Sequence, residues 1–167
     1  ASSCAFLLMG LRGYLPDFLT IVIPNLLFIV SMALIHLGFV YFYKFDDRKV
    51  KRFHALILFI VAVLSVYFTY VENSVNARIV LLSFLISIQC LYIMRTLLQG
   101  HNKANLTIAI SYLFFSVFFL VRGLLTLLED PIYDFMDAGL MHSLSVVVYE
   151  LLVACTSFGM VWMVSYS

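Results

Sequence analysis

Charge is what this chain has least of. Ten Lys and Arg and nine Asp and Glu make 11% of its 167 residues, and the formal net charge is +1. A nucleic-acid-binding surface therefore finds no support. Cysteine is nearly as scarce: Cys4, Cys90 and Cys155 form no C-x-x-C and have no neighbouring His at ligand spacing. Neither a disulfide framework nor a metal site is indicated, no cofactor is expected in this chain, and the three are read as small packing residues. The seven glycines include no adjacent pair, and no P-loop, H-E-x-x-H or G-x-S-x-G occurs, so no catalytic machinery is legible. Strict alternation of apolar and polar residues is missing as well, which argues against barrel strands.

What fills the space is apolar. Hydrophobic residues reach 64% and mean hydropathy is +1.08, far outside the range of a domain with a polar shell. A backbone in lipid must satisfy its own hydrogen bonds, so the expected fold is all-α: a polytopic transmembrane helical bundle. Five full spans are expected at residues 15–43, 54–71, 77–98, 106–128 and 139–165, each near or above the length a bilayer needs. A partial helix over residues 1–12 precedes them, and the chain reads as one domain without repeats. Both ends look like fragment edges, with the N-terminus and a cytoplasmic output domain expected beyond them.

The few charges speak about topology. Lys44, Arg48, Lys49, Lys51, Arg52, Arg95 and Lys103 fall in or beside two connections on one side, against Arg12, Arg78 and Arg122 on the other. Basic residues are retained in the cytoplasm, so the first side and the C-terminus are expected there, in a bacterial inner membrane. Lys44, Arg48, Lys49, Lys51 and Arg52 are positioned to anchor the chain on anionic headgroups of the bilayer.

Polar groups within the spans are the candidate functional residues. Glu150 lies eleven residues into its helix from Gly139, roughly 16 Å deep at the helical rise per residue. Its neighbours three, four and seven positions away include Ser143, Val146, Ala154 and Ser157, a small-residue stripe that predicts an inward orientation. Arg122 is its expected partner by sign, with Gln89 and Tyr149 as hydrogen-bonding candidates; Asn25 lies in the same outer half. The plainer alternative is a protonated packing Glu150 with Arg122 turned outward to Glu129. Pro24 removes a backbone donor and predicts a helix kink. His36 continues the stripe Asn25, Ile29, Met32, but a second axial His at its depth is not expected, which speaks against haem. Phe114, Phe115, Phe118 and Phe119 read as lipid-facing and packing groups.

Several stretches carry a resemblance. LRGYLPDFLTIVIPN, VYFTYVENSVNARIVLLSFLISIQCLY with Arg78, FLVRGLLTLLEDPIYDF with Arg122, and TSFGMVWMVSYS together resemble the N-terminal multi-helix membrane region of bacterial GGDEF proteins, the diguanylate cyclases. The resemblance implies a homodimeric parent that makes cyclic di-GMP from GTP with Mg²⁺ in a domain absent from this chain. By that reading, a ligand, lipid or partner near Asn25, Arg122 and Glu150 shifts the helices and the last helix passes the shift on. Two other classes stand beside it: a structural subunit that docks a membrane or envelope protein, and, more weakly, a proton or solute transporter, for which inverted repeats are lacking.

Overall fold

The computed structural model describes residues 1–100, 103–128 and 139–165. Among the described residues, six α-helices follow one another: α1 (Ser2–Gly10), α2 (Ile23–Phe42), α3 (Arg48–Tyr70), α4 (Val75–Leu98), α5 (Lys103–Leu128) and α6 (Gly139–Ser165). No strand occurs among the described residues. Within the described residues, five segments are long and apolar enough to cross a membrane, Phe18–Phe42, Arg48–Tyr70, Val75–Leu98, Asn105–Leu128 and Leu144–Trp162. The protein is a multi-pass membrane helical bundle. Its outward surface agrees with that environment: Phe59 is 68% exposed and Phe114 63%, in company with many exposed Leu and Val side chains that water would not tolerate over so large a patch.

Two helix starts differ from the sequence expectation. α3 begins at Arg48, not at residue 54, so Arg48, Lys49, Lys51 and Arg52 sit exposed on its first turns rather than in a loop. A run of basic residues looks like a connection to a hydropathy reading, yet Lys and Arg are good helix formers and nothing in RKVKRF breaks a helix. The second difference is at Pro24. A π turn, Phe18–Val22, precedes it, and Pro24 takes a place in the first turn of α2. The Ile23 N–H bonds back to the carbonyl of Phe18, five residues earlier, and winding resumes as α-helix.

α2 ends in a tight cap. Phe45 N–H bonds the carbonyl of Val40 at 3.0 Å and Lys44 N–H that of Tyr41 at 3.2 Å, the paired bonds of a Schellman motif. Its left-handed residue is Lys44, φ 56°, at a strain of about 1 kcal/mol in place of the usual Gly.

Packing is closest between the antiparallel α4 and α5. Ser87 Oγ donates to the Ser116 carbonyl at 2.9 Å and Ser116 Oγ returns the bond to the Ser87 carbonyl at 3.1 Å. A Cβ on Gly123 would stand 3.3 Å from that of Ser83, so the small residues of both helices set the approach. α6 joins through the heptad-spaced Ser145, Tyr149, Leu152 and Thr156, all buried. Thr156 Oγ1 donates to the Leu152 carbonyl and therefore accepts from Tyr112 OH at 2.8 Å. Tyr149 stands edge-on to Phe28, ring centroids 5.0 Å apart, with Phe6 and Phe119 beside it. Each such ring pair adds about 1 kcal/mol beyond area burial.

Candidate functional site

Polar side chains gather at two places inside the bundle, one at each end. The distal end, away from the basic turns of α3, holds a cavity of about 90 Å³, enough for a few water-sized groups. Arg12 after α1, Arg78 of α4 and Arg122 of α5 line it, together with Thr20, Asn25 and Ser145. The rest of the wall is apolar, with Phe6, Phe28, Ile86, Phe119 and Tyr149 among it.

Local structure explains how these groups converge. The π turn uses roughly one more residue per turn than an α-helix, and Thr20 and Asn25, five positions apart, both reach the cavity. α3 supplies a polar backing. Thr69 Oγ1 donates to the Ser65 carbonyl at 2.6 Å and so accepts from Arg78 Nη1 at 3.2 Å, while Asn25 Nδ2 meets Ser65 Oγ at 3.5 Å. Arg122 Nη1 donates to Ser83 Oγ at 3.4 Å. Arg78 is 6% exposed, and Arg12 and Asp17 lie near enough to act on its charge. Among the described residues, no carboxylate comes within ion-pair distance of it. A buried guanidinium that hydrogen-bonds only a neutral hydroxyl, with a carboxylate near but beyond ion-pair distance, is expensive, and an oxyanion in the cavity would relieve that.

At the other end a chain of hydrogen bonds links three helices: Gln89 Nε2 to His54 Nδ1 at 3.0 Å, His54 Nε2 to His36 Nδ1 at 2.9 Å, and His36 Nε2 to Thr96 Oγ1 at 2.8 Å. Thr96 fixes the direction. Its hydroxyl donates to the Tyr92 carbonyl at 3.1 Å, so it accepts from His36 Nε2–H; His36 Nδ1 then accepts from His54 Nε2–H, and His54 Nδ1 from Gln89. Both imidazoles are neutral in this arrangement. His36 and Gln89 are fully buried and His54 is 5% exposed, with the rings of Phe53 and Tyr92 closing the cluster. Among the buried side-chain atoms of the described residues, Gln89 Oε1 alone has no hydrogen-bond partner.

Of the residues singled out from sequence, Asn25 and Arg122 come together in the cavity. Glu150 and Gln89 do not. Glu150 is exposed on the outside of α6 and forms no ion pair with Arg122, correcting the inward orientation expected for it. Ala154 and Ser157 are exposed with it. A small-residue stripe and a heptad of Ser145, Tyr149, Leu152 and Thr156 competed for the interior, and the face carrying the large ring won. Gln89 bonds His54, at the opposite end from the cavity. Glu129, the other proposed partner of Arg122, lies outside the described residues.

The histidine pair also corrects an expectation. His54 sits at the depth of His36 and bonds it directly, because α3 starts six residues earlier than hydropathy suggested. With the two ring nitrogens 2.9 Å apart there is no room for a haem iron between them. Sequence reasoning missed Arg78 and Arg12 as site residues and His54 as a buried one. The periodic inward row Val50, His54, Ile57, Val61, Ser65 and Thr69 was the signal that could have found the last. Of the cysteines, Cys90 packs in the core, whereas Cys4 and Cys155 are exposed.

Set against protein-family models, curated proteins and solved structures, the chain matches none of them.

Proposed function

We propose that this chain is the membrane sensory and regulatory module of a bacterial inner-membrane signalling protein, with its C-terminus in the cytoplasm. By resemblance, the output it controls is a diguanylate cyclase domain outside this chain, using GTP and Mg²⁺. The observation that supports this reading is the distal cavity, whose wall draws on α1, the π turn, α2, α4, α5 and α6 together. A ligand there touches α6 through Ser145, Val146 and Tyr149. Binding that favours one packing of α6 over another by a few kcal/mol is enough to reverse a population. The test is cyclic di-GMP production by the full-length protein in membranes. Arg122→Ala and Asn25→Leu are expected to lock output at one level and abolish its response to signal; unchanged output and response would sink the reading.

A second reading, docking of another membrane protein or a second copy, draws on Glu150. An acid on the lipid-facing side near mid-depth costs at least about 2.5 kcal/mol on insertion scales, and a helix partner at Glu150, Ala154 and Ser157 would shelter it. Exposed Cys155 lies beside this face and reports on it. A homodimer across α6 forms a Cys155-dependent crosslink in oxidised membranes, and Glu150→Gln weakens it; a crosslink absent under all conditions removes the homodimer across this face.

A further inference from the structure

Resting on the sensory reading above, the geometry points to the class of ligand: we propose that the distal cavity binds an amphiphilic oxyanion, a phosphate or carboxylate carrying an apolar chain. The polar half of the site comes from Arg78. It is only 6% exposed and lines the cavity, and the structure gives its guanidinium one hydrogen bond among the described residues, Nη1 to Thr69. Arg12 and Arg122 bring two more guanidiniums to the same cavity, and Asn25 adds an amide. Planar forks of N–H donors match the paired oxygens of a phosphate or carboxylate and suit no cation or neutral sugar.

The apolar half is the wall itself. Where the cavity is lined by half-buried residues, these are Phe6, Met9, Ile21, Leu82 and Val146, apart from the two arginines. Apolar side chains thus outnumber the arginines along its less buried edge. A small inorganic anion would satisfy the arginines but leave that edge uncovered, whereas a chain attached to the oxyanion lies along it and gains the burial of each methylene. Bilayer phospholipids and free fatty acids share this chemistry; phosphate and carboxylate headgroups separate them.

The experiment uses the purified chain in a neutral sugar detergent, with thermal unfolding and native mass spectrometry as readouts. The probes are lysophosphatidylglycerol, tetradecanoate, monoacylglycerol and inorganic phosphate. A saturable rise in Tm and a bound mass are expected with lysophosphatidylglycerol, with tetradecanoate, or with both, and the stronger of the two names the source. Monoacylglycerol or inorganic phosphate acting as well as the anionic amphiphiles overturns the proposal. Arg78→Gln is expected to weaken apparent affinity about tenfold or more, the loss of one charge-assisted contact. Because Arg78 also bonds Thr69 of α3, the half-buried Arg122→Gln serves as a second, independent variant with the same expected direction. Arg52→Gln, at the opposite end, keeps full affinity; an equal loss there would mean unspecific charge attraction and overturn the site. Failure of the ligand class is separable from failure of the sensory reading. Binding without any change in cyclic di-GMP output leaves the ligand and sinks the sensor; output that responds to Arg122→Ala with no amphiphile bound does the reverse.

Discussion

The two polar clusters share a solvent, yet they handle it in opposite ways. At the basic end, Gln89, His54, His36, Thr96 and the Tyr92 carbonyl bond one another in a single direction and without net charge. At the distal end, three guanidiniums line an open space, and two of them, Arg78 and Arg122, donate to the neutral hydroxyls of Thr69 and Ser83. A neutral chain of hydrogen bonds rigidifies the bundle; a cationic cavity offers an anion a place. The difference separates what keeps the helices together from what is left for a ligand.

The largest effect is expected where the neutral chain is cut. His36→Leu leaves His54 Nε2–H without an acceptor and Thr96 without its donor, in a site closed to water, at about 1–3 kcal/mol for each orphaned group. Thermal or denaturant unfolding in detergent should show a loss of roughly 3 kcal/mol. Adding His54→Leu should bring less further loss than His54→Leu alone, because the two act through one bond. Strict additivity would mean the chain is not coupled.

Arg78→Met is the counterpart at the distal end. Removing a buried charge that lacks an ion-pair partner among the described residues should leave ligand-free stability within about 1 kcal/mol of wild type, or raise it, since the desolvation of the guanidinium disappears. The same variant should lose the anion-dependent rise in Tm. A large destabilisation without ligand would show that Arg78 is structural, and the contrast between the two ends would collapse.

Much of the bundle was legible because lipid demands apolar runs of one length, and five such runs place themselves. The boundaries failed where charge and helix propensity disagree: RKVKRF is polar enough to resemble a loop and regular enough to be a helix. That error carried into the site. Starting α3 at residue 54 put His54 at the membrane edge, when α3 from Arg48 carries it about 9 Å inside to meet His36. Glu150 was misjudged because two faces of α6 each carry a plausible packing pattern, and only the rings of Phe6, Phe28 and Phe119 decide that Tyr149 turns inward. Arg122 and Asn25 were found by depth. Arg78 was counted only as a charge on one side, since its meeting with Thr69 joins two helices across a turn and has no one-dimensional trace.

Gln89→Leu probes the weak point of the neutral chain. It takes a donor from His54 Nδ1 but also removes Oε1, the one buried side-chain atom without a partner among the described residues. The two changes oppose each other, so net destabilisation should stay near or below about 1 kcal/mol, well short of His36→Leu. A loss as large as that of His36→Leu would mean that Gln89, rather than the histidine pair, holds α4 in register.

The smallest effect belongs to the surface of the same end. Lys51 and Asp47 pair at 2.6 Å, one helical turn apart at the start of α3. Lys51's hydrogen bond holds the Asp47 carboxyl below its ordinary range. A depressed carboxyl contributes stability only above its unfolded value and loses it as pH falls through the folded one, so Lys51→Met should matter at neutral pH if anywhere. Lys51 is exposed and Asp47 half-buried at the surface, where such pairs are screened and the side-chain entropy of holding them offsets the attraction. Melting curves of wild type and Lys51→Met should therefore coincide at pH 7 and again at pH 3. A difference present at pH 7 and gone at pH 3 would assign the basic end a second, electrostatic source of stability beside its neutral chain. Coincidence at both leaves the histidines alone in that role, with the basic side chains of α3 free to meet lipid headgroups.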